Sequence, residues 1–467
     1  MNSKRVGLIL LLEGLASTGI QMLVLRQVTG YVGASVLVTS IVVSLFLAAL
    51  ALGYFAGGRS TADYRDRLAL NLVLSIGLFG IGLSYPVVDL FFSSMTDLTV
   101  HFSLVSHPLS HLFLYCLLVL VPLVFMLGQT VPLLLHTARA SQSKSEAAGN
   151  LTALSTVGNV IGCLVTALVL MVAFGVGTTI VINAAVLMVA LISVMDLRSA
   201  KHLFGAAVAA GFIGVAVVLN IVIERQIFDA TSVYANIRVQ PHESGRALVV
   251  NRQFASYTDS EGRAWPYIEI MRDALRHRPK SDVVVLGAGG FTLSADETLT
   301  KHAFTYVDID PELKDIAEQR FLGDAITGAY IAEDARSYLL ARKESVDVIV
   351  VDLFSSSVMI PAHTATLEFF ELVESRLKPE GLALLNIAAN PMLDDAYSRR
   401  IDATVRAAFD RCVTDLSGFR DGLENLVYFC RPKIENRAAV LPYRDEYEGV
   451  SIDAFLLAQQ QRKQNYE

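Results

Sequence analysis

The sequence predicts a multi-span α-helical membrane domain followed by an α/β domain of Rossmann-like type with a small β-hairpin region. Three features carry that expectation. Apolar residues make up 53% of the 467 residues, and mean hydropathy is +0.49, both high for a water-soluble chain. The apolar excess is confined to residues before about 223. Beyond it, short β-branched runs alternate with helical patterns, and one run feeds the glycine-rich turn Gly287-Ala288-Gly289-Gly290.

A bilayer crossing needs about 20 mostly apolar residues. Seven runs qualify: 6–25, 32–55, 68–90, 108–135, 151–174, 178–195 and 202–223. Only the turn at 175–177 separates the fifth from the sixth, so a tight hairpin and a shorter re-entrant pair both fit. Basic residues gather in alternate loops: Lys4 and Arg5; Arg59, Arg65 and Arg67; Arg139 and Lys144; Arg198 and Lys201. The positive-inside rule puts those loops and the amino terminus in the cytoplasm. The start has no small-residue cleavage site and reads as a retained first span of a multi-pass inner-membrane protein. Seven crossings place the second half outside the cytoplasm and six place it inside. A Cys412–Cys430 disulfide would favour the outside; two free thiols would not. Glu13, Gln21, Asp89, Gln129, His136 and Asn159 interrupt the apolar runs. A charge in hydrocarbon is expensive, so Glu13 should face the bundle interior or a wet cavity, as interhelical glue or on a substrate path.

These patterns divide the chain into a membrane domain of about seven helices (1–223), a connector with a small hairpin (224–275), a catalytic-sized α/β domain (276–459) and a flexible tail (460–467). In the connector, 231–240 and 247–251 alternate like short strands around a turn at 242–245, followed by a polar loop at 257–263 and a helix at 265–275. The hairpin offers a surface for a homodimer or one wall of a site. A net charge of −7 and the lack of a basic stripe argue against nucleic acid as a partner. His242, His302 and His363 are scattered, and no metal constellation is apparent.

In the α/β half, the strand at 282–286 enters the glycine turn. Glycines admit close backbone approaches, and a following helix start would offer N–H groups to a carboxylate, ribose or phosphate. The same tetrad also serves simply to turn a chain tightly. The second strand, 306–309, brings Asp308 to a position 21 residues after Gly287, placed to accept from a ribose diol. Asp310, before Pro311, fits a helix cap equally well. The third strand, 330–331, leads to Asp334, which suits either an adenine amino group or another cap. The fourth, 346–351, ends in Asp352, in the layer where ligands of open parallel sheets collect. The loop at 353–360 is able to cover that crevice. Helices are expected at 312–320, 366–377 and 396–409, and further strands at 381–386 and 426–430.

From about 230 to 432, four pieces in this order resemble the spermidine synthase family of polyamine aminopropyltransferases: VVVLGAGGF (283–291), YVDIDPEL (306–313), EDARSYL (333–339) and VDVIVVD (346–352). Each piece alone also fits the wider S-adenosylmethionine-dependent methyltransferase fold. The whole chain resembles bacterial fusions of that domain to a multi-span amino-terminal part. The family joins an aminopropyl group from decarboxylated S-adenosylmethionine to an amine such as putrescine and releases methylthioadenosine. The resemblance implies that Gly287, Gly289 and Gly290 approach the donor, Asp308 holds its ribose and Asp334 its adenine. It likewise makes Asp352 the catalytic carboxylate and puts Tyr267 of YIE beside the substrate. The sulfonium is already a strong leaving group, so no metal is expected.

Several family positions differ. The acid of the family's GGGDG turn falls on Gly290, the second acid of DSSDP on Ser355, the hairpin glutamine on Ala255 and the histidine of YHE on Ile268. These losses strip much of the acidic cage for a diamine, and Gly290 repels the carboxylate of intact S-adenosylmethionine less than an aspartate would. Three functions follow as expectations. One is aminopropyl transfer to a small amine. Another is methyl or aminocarboxypropyl transfer from the intact donor to an amphipathic acceptor arriving from the lipid bilayer. The last is a nucleoside-ligand sensor or regulator of a transporter-like bundle.

Overall fold

The computed structural model describes residues 3–33, 35–99, 108–135, 144–354, 361–416 and 424–433. His136, Arg139, most of the loop at 353–360 with Ser355, and the tail at 460–467 lie outside the described residues. Met1–Pro432 forms one compact unit and Lys433–Glu467 a second; all that follows concerns the first.

The first half is helical: α1 (Ser3–Val32), α2 (Val36–Gly58), α3 (Tyr64–Gly77), α4 (Tyr85–Thr99), α5 (Pro108–Tyr115), α6 (Val121–Gly128), α7 (Thr130–Leu135), α8 (Lys144–Val165), α9 (Met171–Val194), α10 (Ala200–Val217) and α11 (Glu224–Ile227). The Ser35 side chain caps α2 by accepting from the Val38 N–H, as short hydroxyl residues do at helix starts. Among the described residues, five helical stretches are long and apolar enough to cross a membrane, and six when the bent α3–α4 pair counts as one. α4 departs from α3 by 68°. One stretch, Ser145–Val194, has 50 residues, about 75 Å of helix at 1.5 Å per residue against a hydrocarbon thickness of about 30 Å. Its backbone leaves helical angles at Gly175 (φ 75°, ψ 173°), which divides it into two pieces.

Small residues let these helices touch. A Cβ on Gly162 of α8 would fall 2.2 Å from the Leu15 carbonyl oxygen of α1, an approach that only a residue without a side chain permits. Gly7 opposes Leu154 and Gly19 opposes Thr166, so α1 and α8 run parallel. Glu13 is buried in this contact, with the Ser155 hydroxyl 3.4 Å away; it faces the bundle interior. At one end of the bundle, Lys201 and His202 meet Asp66, joining two of the basic loops. At the other end of α1, the Arg26 guanidinium donates to the Ser232 carbonyl at 2.8 Å and to Asn236 Oδ1 at 2.8 Å. The second half of the chain therefore docks on the end opposite those basic loops.

The connector is larger than a hairpin. β1 (Ala230–Thr231), β2 (Asn236–His242), β3 (Gly245–Val250) and β4 (Gln253–Asp259) form a four-stranded antiparallel sheet in chain order. β4 covers the start of the expected polar loop. Its buried residues are Ser256, Tyr257 and Thr258, hydroxyl-bearing side chains whose pattern lacks apolar alternation. Asn251, at φ 59°, makes the tight β3–β4 turn.

The α/β half contains α12 (Pro266–Arg276), β5 (Asp282–Leu286), β6 (Ala303–Asp308), α13 (Leu313–Ile316), β7 (Ala329–Ala332), α14 (Ala335–Ala341), β8 (Val346–Val351), α15 (Leu367–Ser375), β9 (Leu377–Ala389), α16 (Ala396–Ala408), β10 (Arg411–Leu416) and β11 (Glu424–Arg431). Sheet order is β10-β11-β9-β8-β5-β6-β7. The five strands β5 to β9 are parallel, and the β9–β11–β10 edge is antiparallel. Val283 and Val285 of β5 pack into one apolar cluster, and Val284 and Leu286 into another. Both sheet faces are thus covered, as parallel sheets require. β10 was not expected from sequence. It sets Cys412 opposite Cys430 of β11, and the two are disulfide-bonded. The helix expected after the glycine turn is replaced by short 3-10 turns at Thr292–Ala295 and Glu297–Leu299. Phe291, left-handed at φ 58°, redirects the chain there, and the Tyr306 hydroxyl accepts the Ser294 N–H.

Candidate active site

The carboxyl ends of β5, β6 and β8 meet at one point. Gly287 (φ 90°) has no room for a side chain: a Cβ there would fall 2.1 Å from the Asp352 carbonyl oxygen. Its N–H donates to the Val307 carbonyl at 2.8 Å, and the Asp352 N–H donates to the Leu286 carbonyl at 2.8 Å. A cavity of about 1410 Å³ opens above this junction, and Gly287, Gly289, Asp308, Asp334, Asp352 and Tyr267 all line it.

Asp308 is half-buried. Its Oδ2 accepts from the Ala288 N–H at 2.9 Å and its Oδ1 from the Asp310 N–H at 3.1 Å, which ties the β6 end to the glycine turn. A carboxylate has about four acceptor sites, so capacity remains for a ligand hydroxyl. Burial pushes its carboxyl above the ordinary range. Asp310 is a strut. It accepts from the Ser232 hydroxyl at 2.6 Å and the Glu312 N–H at 3.2 Å, and Ser232 in turn receives Arg26 of α1. Helix α1 is thereby wired to a residue two positions from Asp308.

Asp352 is held from two sides. The Tyr267 hydroxyl donates to Oδ2 at 3.1 Å, and the Asn386 amide donates to Oδ1 at 2.8 Å. Burial pushes the Asp352 carboxyl up to about 6, against the pull of these two hydrogen bonds. The Tyr267 hydroxyl is raised well above its ordinary value, first by burial and then by the Asp352 charge, so it stays protonated and donates. Asn386 is 2% exposed, and its Oδ1 has no hydrogen-bond partner among the described residues although the residue lines the cavity. A buried amide left half-used beside a carboxylate marks a place for a donor on a ligand. Sequence reasoning passed over Asn386; its signal was a lone amide in the apolar strand 382–389.

Two sequence-expected residues sit differently. Gly290 is buried beside Phe321 and Ser256 and is not among the cavity-lining residues. Its N–H donates to Ser256 Oγ at 2.8 Å, and a Cβ would lie 2.3 Å from the Phe321 ring. Asp334 lines the cavity, but Oδ1 caps α14 by accepting the Ser337 N–H at 2.9 Å, and Oδ2 lies 3.1 Å from His363 Nε2. Burial opposes ionisation of Asp334, and its Ser337 and His363 bonds outweigh that and hold the carboxyl low. Asp334 thus caps α14 and pairs with His363 while still lining the cavity. The remaining cradle fits a nucleoside-bearing donor: bare backbone at Gly287 and Gly289, a carboxylate at the β6 end, and an unused acceptor on Asn386.

Parallel strands around a glycine turn, with acidic residues at their carboxyl ends, define the α/β half as Rossmann-like. Within that class the chain is similar to polyamine aminopropyltransferases. It is 25% identical over 203 residues to polyamine aminopropyltransferase 2 of Pseudomonas aeruginosa, covering 40% of this chain and 57% of that one. It is 29% identical over 107 residues to a probable polyamine aminopropyl transferase of Bifidobacterium longum, covering 22% of this chain and 23% of that one. The chain thus spans little more than half the length of the first of these curated relatives and less of the second. A probable spermidine synthase structure from Corynebacterium glutamicum aligns with 22% identity and a TM-score of 0.37, covering 42% of this chain and 77% of that one. No family model matches.

Proposed function

We propose that the protein is a membrane-embedded transferase that moves an aminopropyl group from decarboxylated S-adenosylmethionine to an amine, releasing methylthioadenosine. The observation that carries this reading is Asp352, fixed by Tyr267 and Asn386 at the β8 end and facing the same cavity as Gly287 and Asp308. The donor supplies an electrophilic carbon on a sulfonium. Asp352 orients the amine and takes its proton, a task for which a carboxyl at about 6 is well matched near neutral pH. Asn386 Oδ1 accepts a second amine N–H, and the fixed pair positions the nitrogen for in-line attack. A ligand sensor would need no such proton acceptor.

Transfer from intact S-adenosylmethionine is the second reading, and one observation favours it. The position of the family's aminopropyl-binding acid is Gly290, and Phe321 leaves no room there for a longer side chain. Purified protein incubated with each donor separates the two. Methylthioadenosine from the decarboxylated donor is the expected product. S-adenosylhomocysteine from the intact donor would support methyl transfer instead, and neither product from either donor contradicts both.

We place the chain in the inner membrane as a multi-pass protein, with the α/β half on the face opposite the basic loops. The Asp66–Lys201 end of the bundle, the Gly175 break and the Cys412–Cys430 disulfide all favour an extracytoplasmic α/β half. The donor then has to reach that compartment. In intact cells, a membrane-impermeant maleimide is expected to label Lys280→Cys and to spare Arg59→Cys. The opposite pattern would reverse the orientation.

A further inference from the structure

Resting on the transferase reading, we infer that the acceptor is a bilayer phospholipid carrying a primary amine on its phosphate headgroup, which enters between α1 and α2. At about 1410 Å³, the cavity exceeds the upper end, about 1,000 Å³, of small-molecule sites. The surplus lies toward the membrane. Thr29 of α1 and Val36, Thr39, Ser40 and Ser44 of α2 line the same cavity as Asp352, and α2 is apolar enough to cross a bilayer. Val36 is 81% exposed and Leu37 61%, so the mouth of this lobe is an apolar helix edge where an acyl chain can lie.

Charge selects the headgroup. Among the described lining residues, all the carboxylates (Asp308, Asp310, Asp334 and Asp352) come from the α/β half, and the membrane-side lobe carries arginines, Arg26 and Arg252, and no acid. A diamine that placed one nitrogen at Asp352 would find no counter-charge for its far ammonium in that lobe. A phosphate finds Arg252, which lines the cavity; its Nη1 is ion-paired with Asp89 and bonds Ser93, and its five-donor fork has further N–H groups to give. The headgroup amine then reaches Asp352 and Asn386, the phosphate lies by Arg252, and the chains follow α2 into lipid. The amine lone pair forms the new N–C bond, the C–S bond breaks with its pair going to sulfur, and Asp352 takes the displaced ammonium proton.

The full chain is reconstituted in vesicles of phosphatidylcholine alone or with phosphatidylethanolamine, and each sulfonium donor is added. A mass-shifted phosphatidylethanolamine together with nucleoside product is the expected result. Nucleoside product with putrescine in phosphatidylcholine vesicles, with phosphatidylethanolamine unmodified, overturns the lipid acceptor and leaves the transferase reading standing. Equal rates with soluble phosphoethanolamine overturn the membrane source. No nucleoside product with any acceptor overturns both readings. Ser40→Phe, on an exposed face of α2, and Arg252→Gln are each expected to raise KM for the lipid at least tenfold with donor affinity unchanged. An unchanged lipid KM in both variants contradicts the route.

Discussion

Replacing Asp352 with Asn is expected to lower turnover by about 10³-fold, the middle of the range for a general base, while donor binding stays within a factor of a few. The amide keeps the shape and one acceptor but cannot take the amine proton. The same residue sets the pH profile. With its carboxyl at about 6, wild-type turnover should rise about tenfold per pH unit below that value and flatten above it. The stability effect has the opposite sense. A folded-state carboxyl raised above its unfolded value favours the protonated form. Folding stability from this group is fully present below the ordinary carboxylate range and declines as pH climbs to about 6. The shift from 3.8 to about 6 corresponds to about 3 kcal/mol at most. Asp352→Asn should therefore melt at the same temperature or higher at pH 7.5. A variant with wild-type turnover would remove Asp352 from the chemistry, and one that melts much lower would show a structural role for the charge.

Gly287→Ala should be nearly as damaging, by a different route. The residue sits at φ 90°, and the added methyl would meet the Asp352 carbonyl at 2.1 Å. Overpacking of this kind costs about 1–3 kcal/mol. Relief comes by separating the ends of β5 and β8, which moves Asp352 relative to the donor cradle. A displacement of about 1 Å in a reacting group is worth about 10² in rate. Donor affinity and turnover are expected to fall together, by at least tenfold and a hundredfold, with the melting temperature lower by several degrees. Normal affinity in this variant would mean that the glycine turn is not the donor cradle.

The sequence made the layout legible where a physical pattern was strong. Long apolar runs exposed the helices, and β-branched runs ending in Gly287, Asp308 and Asp352 exposed the strand ends that the structure brings to one cavity. It failed where the pattern was weak or the decisive contact was distant. β4 was hidden because the residues it buries, Ser256, Tyr257 and Thr258, read as a polar loop. β10 was hidden because its six residues, Arg411–Leu416, gain their place only by pairing with β11. Gly290 looked equivalent to Gly287 and Gly289 in a string of glycines, and only Phe321, 31 residues on, shows that it turns away from the cavity. Asp334 had two meanings in sequence, a cap and a cavity acceptor, and the structure shows the cap through the Ser337 N–H with the side chain still on the cavity wall. The link from Arg26 through Ser232 to Asp310 spans more than 200 residues, and no local pattern announces it.

Everything proposed for this site requires one sulfonium nucleoside to bridge Asp308 and the Asp352 junction, and calorimetric titration of the detergent-solubilised full chain tests that most directly. Saturable binding of at least one of the two donors in wild type, weakened at least tenfold by Asp308→Ala and little changed by Asp352→Asn, is the predicted result. Binding that is absent in wild type, or indifferent to Asp308→Ala, would contradict it.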